Sequence, residues 1–251
     1  MSRPPAPRPR GRSSLAPFYA LLGLVALGGA GFLLYQAFGK EKPTTQPVQV
    51  ALDPAALNRV QGISVGRADA PVVIYEFADF QCPGCSQFAS MVTPLIKERL
   101  VQTGKARYVF YDLPLISIHP NAFLAARAGR CANDQGRFWE FHDIVYGQQP
   151  NWSGEADPTD LFVDYAQRAG ADEGRFETCL RSDRFAREIT ESMRFAESLK
   201  VQGTPTLIVN GRRIETPRSF AELEEVVNAA GAAPAAAGAD SAAAPADSAA
   251  R

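Results

Sequence analysis

A chain of 251 residues with 26 basic and 27 acidic side chains is long enough for one globular domain with extensions, and its formal charge of -1 gives no overall electrostatic reason to bind nucleic acid. An apolar content of 46%, with 10% aromatic residues, excludes a wholly disordered chain. The charge is uneven: residues 1–14 carry Arg3, Arg8, Arg10 and Arg12 and no acid, whereas residues 45–228 hold 19 basic against 24 acidic side chains, a balance of -5.

The first expected element follows the basic tail. Residues 18–38 contain no charge and at helical rise would span about 31 Å, the thickness of a bilayer's hydrocarbon core. Residues 1–14 therefore read as a cytoplasmic tail, 15–39 as a transmembrane anchor or a signal peptide, and 40–61 as a linker. Gly28, Gly29 and Ala30 offer a peptidase its small residues, but apolar sequence continues to Tyr35, longer than a signal peptide's apolar core, which favours an uncleaved anchor. The four arginines before the segment, against Lys40 and Lys42 after it, place the rest of the chain on the extracytoplasmic side of a cell membrane.

The folded domain is expected over residues 62–228. Residues 72–78 form a short apolar run of β-branched and aromatic type, a buried strand. Phe88, Met91, Val92, Leu95, Ile96 and Leu100 then recur at three- and four-residue steps, which predicts an amphipathic helix from Cys85 to about Gln102, bent at Pro94. A second strand over 106–111 is parallel to the first, since a helix of this length is the usual crossover. Helical periodicity follows over 120–133, 138–146, 158–169, 173–180 and 185–199, with Asp157 and Pro158 as a cap and first-turn pair and Gly170 as a stop. Two strands around Asn210-Gly211, a dipeptide suited to positive φ, make a hairpin, and a final helix runs over 217–227. Residues 229–251 are almost entirely Ala, Gly, Pro, Ser and Asp and read as a disordered tail.

The chemistry concentrates at Cys82-Pro83-Gly84-Cys85, where the first strand passes into the helix. Free N–H groups and the helix dipole at a first turn favour an anion, so Cys82 is expected to be the thiolate that attacks a disulfide, with Cys85 one turn away to resolve the mixed disulfide. Pro83 fixes φ near the helix start. A zinc site of all four cysteines is disfavoured, because Cys131 and Cys179 lie 46 and 94 residues beyond Cys85 and are not themselves closely paired. A purely structural Cys82–Cys85 bond would close too short a loop to stabilise much. His119 and His142 read as packing or capping residues.

Taken together, these residues resemble the thioredoxin superfamily, and within it the DsbA-like thiol:disulfide oxidoreductases. The resemblance covers residues 62–228 and rests on Glu76, Asp79-Phe80-Gln81-Cys82-Pro83-Gly84-Cys85, Leu113-Pro114-Leu115 with His119-Pro120, the run 135–143, and Gly203-Thr204-Pro205-Thr206 with Asn210-Gly211. It implies an α/β thioredoxin fold with an all-helical insertion, about 117–200, between the second strand and the C-terminal β-hairpin. Pro205 matches the family's cis-proline beside the redox pair, and with Thr204, Pro83 and Gly84 it would shape the groove for substrate backbone. Glu76 matches the buried acid beneath the cysteines, suited to exchanging a proton with Cys85. The family's strong oxidants carry histidine between the cysteines, and Pro83-Gly84 lacks that donor, which implies a less stabilised thiolate.

The implied activity is donation of disulfides to exported cysteine-containing proteins, with no metal or organic cofactor and with reoxidation by a quinone-coupled membrane partner. A reductase or isomerase kept reduced by a membrane electron carrier, and a non-catalytic binding module or holdase, are the alternatives. Cys131 and Cys179 are left over in an oxidising compartment and are expected to form a structural disulfide within the insertion, as in some relatives, with two isolated buried thiols as the alternative.

Overall fold

The computed structural model describes residues 16–38, 48–214 and 219–232, with the side chains of residues 16, 17, 33–38 and 48 outside that description. The chain separates into two units, 1–46 and 47–251. In the first, residues Ala16–Phe38 form helix α1. Its large apolar side chains from Phe18 to Phe32 are exposed. Among the described residues no helix is long and apolar enough to cross a membrane. The anchor expected over 15–39 is thus not supported by the described residues. The basic tail 1–14 lies outside the described residues.

The second unit begins earlier than expected. Strand β1 (Val48–Gln49) and helix α2 (Pro54–Arg59) fall within the stretch 40–61 read as a linker. β1 pairs with the last strand of the sheet. Leu52, Ala56, Leu57 and Val60 pack against the core, and the Gln61 carbonyl accepts a hydrogen bond from Arg130 at 3.0 Å. These elements are short, and their order comes from long-range pairing and packing rather than from their own periodicity.

Next come β2 (Ile63–Val65), β3 (Val72–Ala78), α3 (Pro83–Met91), α4 (Thr93–Leu95), a π-helical turn (Ile96–Val101) and β4 (Ala106–Asp112). The single bent helix of the sequence reading is thus three pieces. Pro94 has no N–H to continue the α-helical ladder, and the chain re-enters helix through a wider turn in which Gln102 N–H reaches the Lys97 carbonyl at 3.0 Å. Helices α5 (Ala122–Asn133), α6 (Phe138–Gly147), α7 (Gln149–Trp152), α8 (Thr159–Arg168), α9 (Glu173–Arg181) and α10 (Ala186–Ser198) form the insertion. Asp157 does not itself cap α8. Pro158 occupies the cap position, and the Asp157 carboxylate accepts from the Thr159 N–H at 3.0 Å.

The hairpin β5 (Thr206–Val209) and β6 (Arg212–Ile214) turns through Asn210 and Gly211, both at positive φ. Helix α11 (Phe220–Ala232) closes the unit, so residues 229–232, placed in the tail by composition, are helical. Ala230 still packs on the core there. Residues 233–251 lie outside the described residues.

The sheet order is β1-β6-β5-β3-β4-β2, with β3 parallel to β4 and the other pairs antiparallel. This is the mixed α/β sheet of a thioredoxin fold with a helical insertion. Alternation along β3 sends Val72 and Ile74 into the core under α3 and α11, and Phe77 into the core under α10. Glu76 has the parity of Val72 and Ile74 and is buried with them. A disulfide between Cys131 of α5 and Cys179 of α9, with Cα atoms 5.8 Å apart, ties two helices of the insertion.

Candidate active site

β3 ends at Ala78, and a four-residue turn carries the chain into α3. Asp79 organises that turn. Its Oδ1 accepts from the Gln81 N–H at 2.7 Å, while Oδ2 accepts from the Leu115 N–H at 2.8 Å and meets His119 Nδ1 at 2.7 Å. Cys82 sits at the N-cap of α3 with extended backbone, and Pro83 takes the first helical turn, where a missing N–H costs nothing.

The cis peptide Thr204–Pro205 lies against this turn. A Cβ added to Gly84 would lie 3.4 Å from Pro205 Cδ and 3.7 Å from Cys82 Sγ, which places the proline loop in van der Waals reach of the pair. The Cys82 thiol points to the Thr204 carbonyl oxygen, 3.4 Å away. Cys82, Pro83, Gly84, Thr204 and Pro205 thus converge on one spot, with Cys85 fully buried behind them.

The two sulfurs differ in electrostatics. Cys82 is lowered to about 5, chiefly because the Cys85 thiol donates to its sulfur, against the cost of burial; the Thr204 side chain and the backbone N–H groups of Gly84 and Cys85 add to the effect. Burial pushes the Cys85 thiol well above its ordinary value, and the bond to Cys82 and the charge of Glu76 push the same way. The Asp79 N–H donates to Cys85 Sγ at 3.5 Å and opposes them. Glu76 rises to about 7 because it is buried, although a hydrogen bond from the Tyr108 hydroxyl pulls it back down. One sulfur is therefore ready as an anion, the other keeps its proton, and a carboxyl able to exchange a proton near neutral pH lies in the same core.

Two neighbours of this site carry no role in the sequence reading. Tyr108 shares the inward parity of Ala106 and Phe110 on β4, and the parallel register sets Phe110 beside Glu76. Asp79 lay inside the motif, but its bonds to Leu115 and His119 span 36 and 40 residues and leave no local trace. His119 is thus a partner of the turn itself. His142 is buried in a ring of aromatics, with Nδ1 2.8 Å from Asp143.

The lowered value at Cys82 has a direct optical consequence. Absorbance of the reduced protein at 240 nm should fall through a titration near pH 5, and Cys82→Ser should remove it; a midpoint above 8 would contradict the geometry. The linkage has a definite sign. Because the folded thiol ionises below its ordinary value of 9.0, the thiolate's contribution to the reduced fold is full above pH 9 and is lost as pH falls through about 5.

Comparison with known proteins follows the same outline. The thioredoxin family model matches residues 58–229. A Na(+)/H(+) antiporter NhaA 3 of Salinispora tropica is 40% identical over 165 residues, 66% of this chain. Only 24% of that relative's length is involved, so the chain spans about a quarter of the first curated relatives it matches. A probable disulfide bond formation protein D of Bacillus cereus is 32% identical over 59% of this chain and 69% of its own length. The crystal structure of oxidised BdbD from Bacillus subtilis superimposes with a TM-score of 0.64 at 24% identity, covering 74% of this chain and 98% of that one.

Proposed function

Because the chain belongs to the thioredoxin family, in its DsbA-like branch, we propose that it is a protein-disulfide oxidoreductase that donates disulfides to exported cysteine-containing proteins through Cys82 and Cys85. The observation that carries this reading is the split between the two sulfurs. A thiolate at Cys82 stable down to about pH 5 lowers the free energy of the reduced pair, and a dithiol whose reduced form is stabilised has an oxidising disulfide.

The exchange runs in two steps. A substrate thiolate attacks Cys82 Sγ of the Cys82–Cys85 disulfide; the new bond is substrate sulfur to Cys82, and the electron pair of the broken bond leaves on Cys85. Burial makes an anion there costly, so Cys85 takes a proton, for which protonated Glu76 is the nearby source. A second substrate thiolate then attacks the substrate sulfur of the mixed disulfide and expels Cys82 as the stabilised thiolate. The substrate has lost two electrons and the pair has gained them, so turnover needs an electron acceptor. A quinone-coupled membrane reoxidase fills that place, and no metal or organic cofactor enters the exchange. Thr204, Pro205, Pro83 and Gly84 border the attacked sulfur and form the floor on which substrate backbone docks.

An extracytoplasmic site suits this chemistry, since disulfides persist in oxidising compartments. The uncharged run 18–38, with arginines before it, supports tethering on that side of a cell membrane.

The test is to mix the oxidised full chain with a reduced, unfolded secreted protein and to equilibrate it separately against glutathione. Stoichiometric disulfide transfer and a pair reduced in preference to glutathione are expected. A pair that stays oxidised against a large excess of reduced glutathione would favour a reductase, and no exchange at all would leave a binding module.

A further inference from the structure

The turn that carries Cys82 is held from outside the thioredoxin sheet. Gln149, at the start of α7, is buried, and its side-chain amide donates to two backbone carbonyls, that of Phe80 at 2.7 Å and that of Cys82 at 3.0 Å. The residue between them is gripped as well. Gln81 Oε1 accepts from the Asn121 N–H and its Nε2 donates to the Ser153 carbonyl, both at 2.7 Å. Further along α3, the Ser86 hydroxyl donates to the Tyr146 carbonyl at 3.1 Å. Trp152 Nε1 ties α7 back onto α6 through the Val145 carbonyl at 2.9 Å. The end of α6 and the start of α7 therefore hold the turn at Phe80, Cys82 and Ser86, while the cap of α5 and the residue after α7 hold Gln81.

This bracket matters because α3 has no side-chain cap of its own at Cys82. The Cys82 carbonyl accepts the first helical bond, from Ser86 at 3.1 Å, and the Gly84 and Cys85 N–H groups meet the Cys82 sulfur only while Cys82 keeps its extended cap geometry. Two carbonyls of buried residues face the Gln149 amide. Deprived of that amide, the Phe80 carbonyl would lose its donor and the Cys82 carbonyl would keep only the Ser86 N–H, and the turn would shift to replace the lost bonds.

We propose that Gln149 is a positioning residue for Cys82: by holding the carbonyls of Phe80 and Cys82 it sets how well the first-turn N–H groups meet the attacking sulfur. This rests on the oxidoreductase reading and adds to it a role for the helical insertion, which tunes the redox pair through backbone contacts without touching a sulfur.

The test is thiolate titration at 240 nm of the reduced full chain carrying Gln149→Met, which keeps the side chain's length and removes both donors. The midpoint should rise by about one pH unit, and the equilibrium with glutathione should shift about tenfold toward the protein disulfide, because a less stabilised thiolate makes a weaker oxidant. Phe176→Leu, a change in the buried core of the insertion, is the control for lost stability and should leave the midpoint in place. An unmoved midpoint in folded Gln149→Met, or an equal rise in Phe176→Leu, would overturn the proposal. Should Gln149→Met not fold, Gln149→Asn, whose amide is withdrawn by one methylene, decides the matter by the same midpoint. A wild-type pair inert to glutathione would instead sink the oxidoreductase reading while the titration still judged Gln149.

Discussion

Cys85→Ser is expected to accumulate mixed disulfides with substrate proteins, whereas Cys82→Ser reduces exchange to the uncatalysed background. The reason lies in the ionisation of the two sulfurs. At pH 7 a thiol ionising at about 5 is almost wholly anionic, against about 1% for one at the ordinary value of 9.0, so Cys82 presents about a hundredfold more thiolate than an unassisted thiol. A low pKa also lowers intrinsic nucleophilicity, but it makes Cys82 the better leaving group when the mixed disulfide is resolved by substrate. Cys85, buried and held protonated, serves as the internal resolving thiol. Its removal leaves the attack on a substrate disulfide intact and deletes the escape. Non-reducing electrophoresis with mass spectrometry of the adducts reads the outcome, and adducts formed by Cys82→Ser in place of Cys85→Ser would reverse the assignment.

The second large effect concerns stability. Replacing both members of the Cys131–Cys179 bond by alanine should destabilise the domain by about 4 kcal/mol, since the bond closes a loop spanning 48 positions and its loss returns that entropy to the unfolded chain. For a domain of this size the melting temperature should drop by roughly 10 °C. Cys131 lies on α5 among Ala125, Ala128 and Ala132, and α9 contributes Phe176 and Leu180 to the same cluster, so the two helices retain packing after the bond is gone. Thermal unfolding of the oxidised double variant against wild type measures the difference. A loss under about 1 kcal/mol would mean that this packing already restrains the helices as the bond does.

The elements legible in the sequence are those whose signal is local. The apolar run of β3, the hairpin around Asn210-Gly211 and the helices of the insertion announce themselves through period, turn chemistry and stops, each within a window of about ten residues. Elements paired at long range were not legible. β1 has two residues and exists because β6 lies beside it, and β2 is a three-residue edge on β4. The break after Met91 was half legible: Pro94 announced a disturbance, but the resumption as a π-helical turn left no mark in the spacing of the apolar residues.

The site divides in the same way. By itself the sequence determined where the sulfurs are and that they stand at a strand-to-helix turn, because these follow from spacing along one strand and one helix; that Glu76 is buried on the face of Val72 and Ile74 came with the sheet. Only the tertiary structure decided what surrounds them. The cis proline comes from 120 residues downstream of Cys85, the Tyr108 hydroxyl that meets Glu76 comes from the neighbouring strand, and the Gln149 amide spans 69 and 67 positions to reach Phe80 and Cys82. A side-chain amide bonded to a distant carbonyl leaves no periodicity and no composition bias. Its partner is chosen only when sheet and insertion have packed, and that packing is where the ionisation of Cys82 is set.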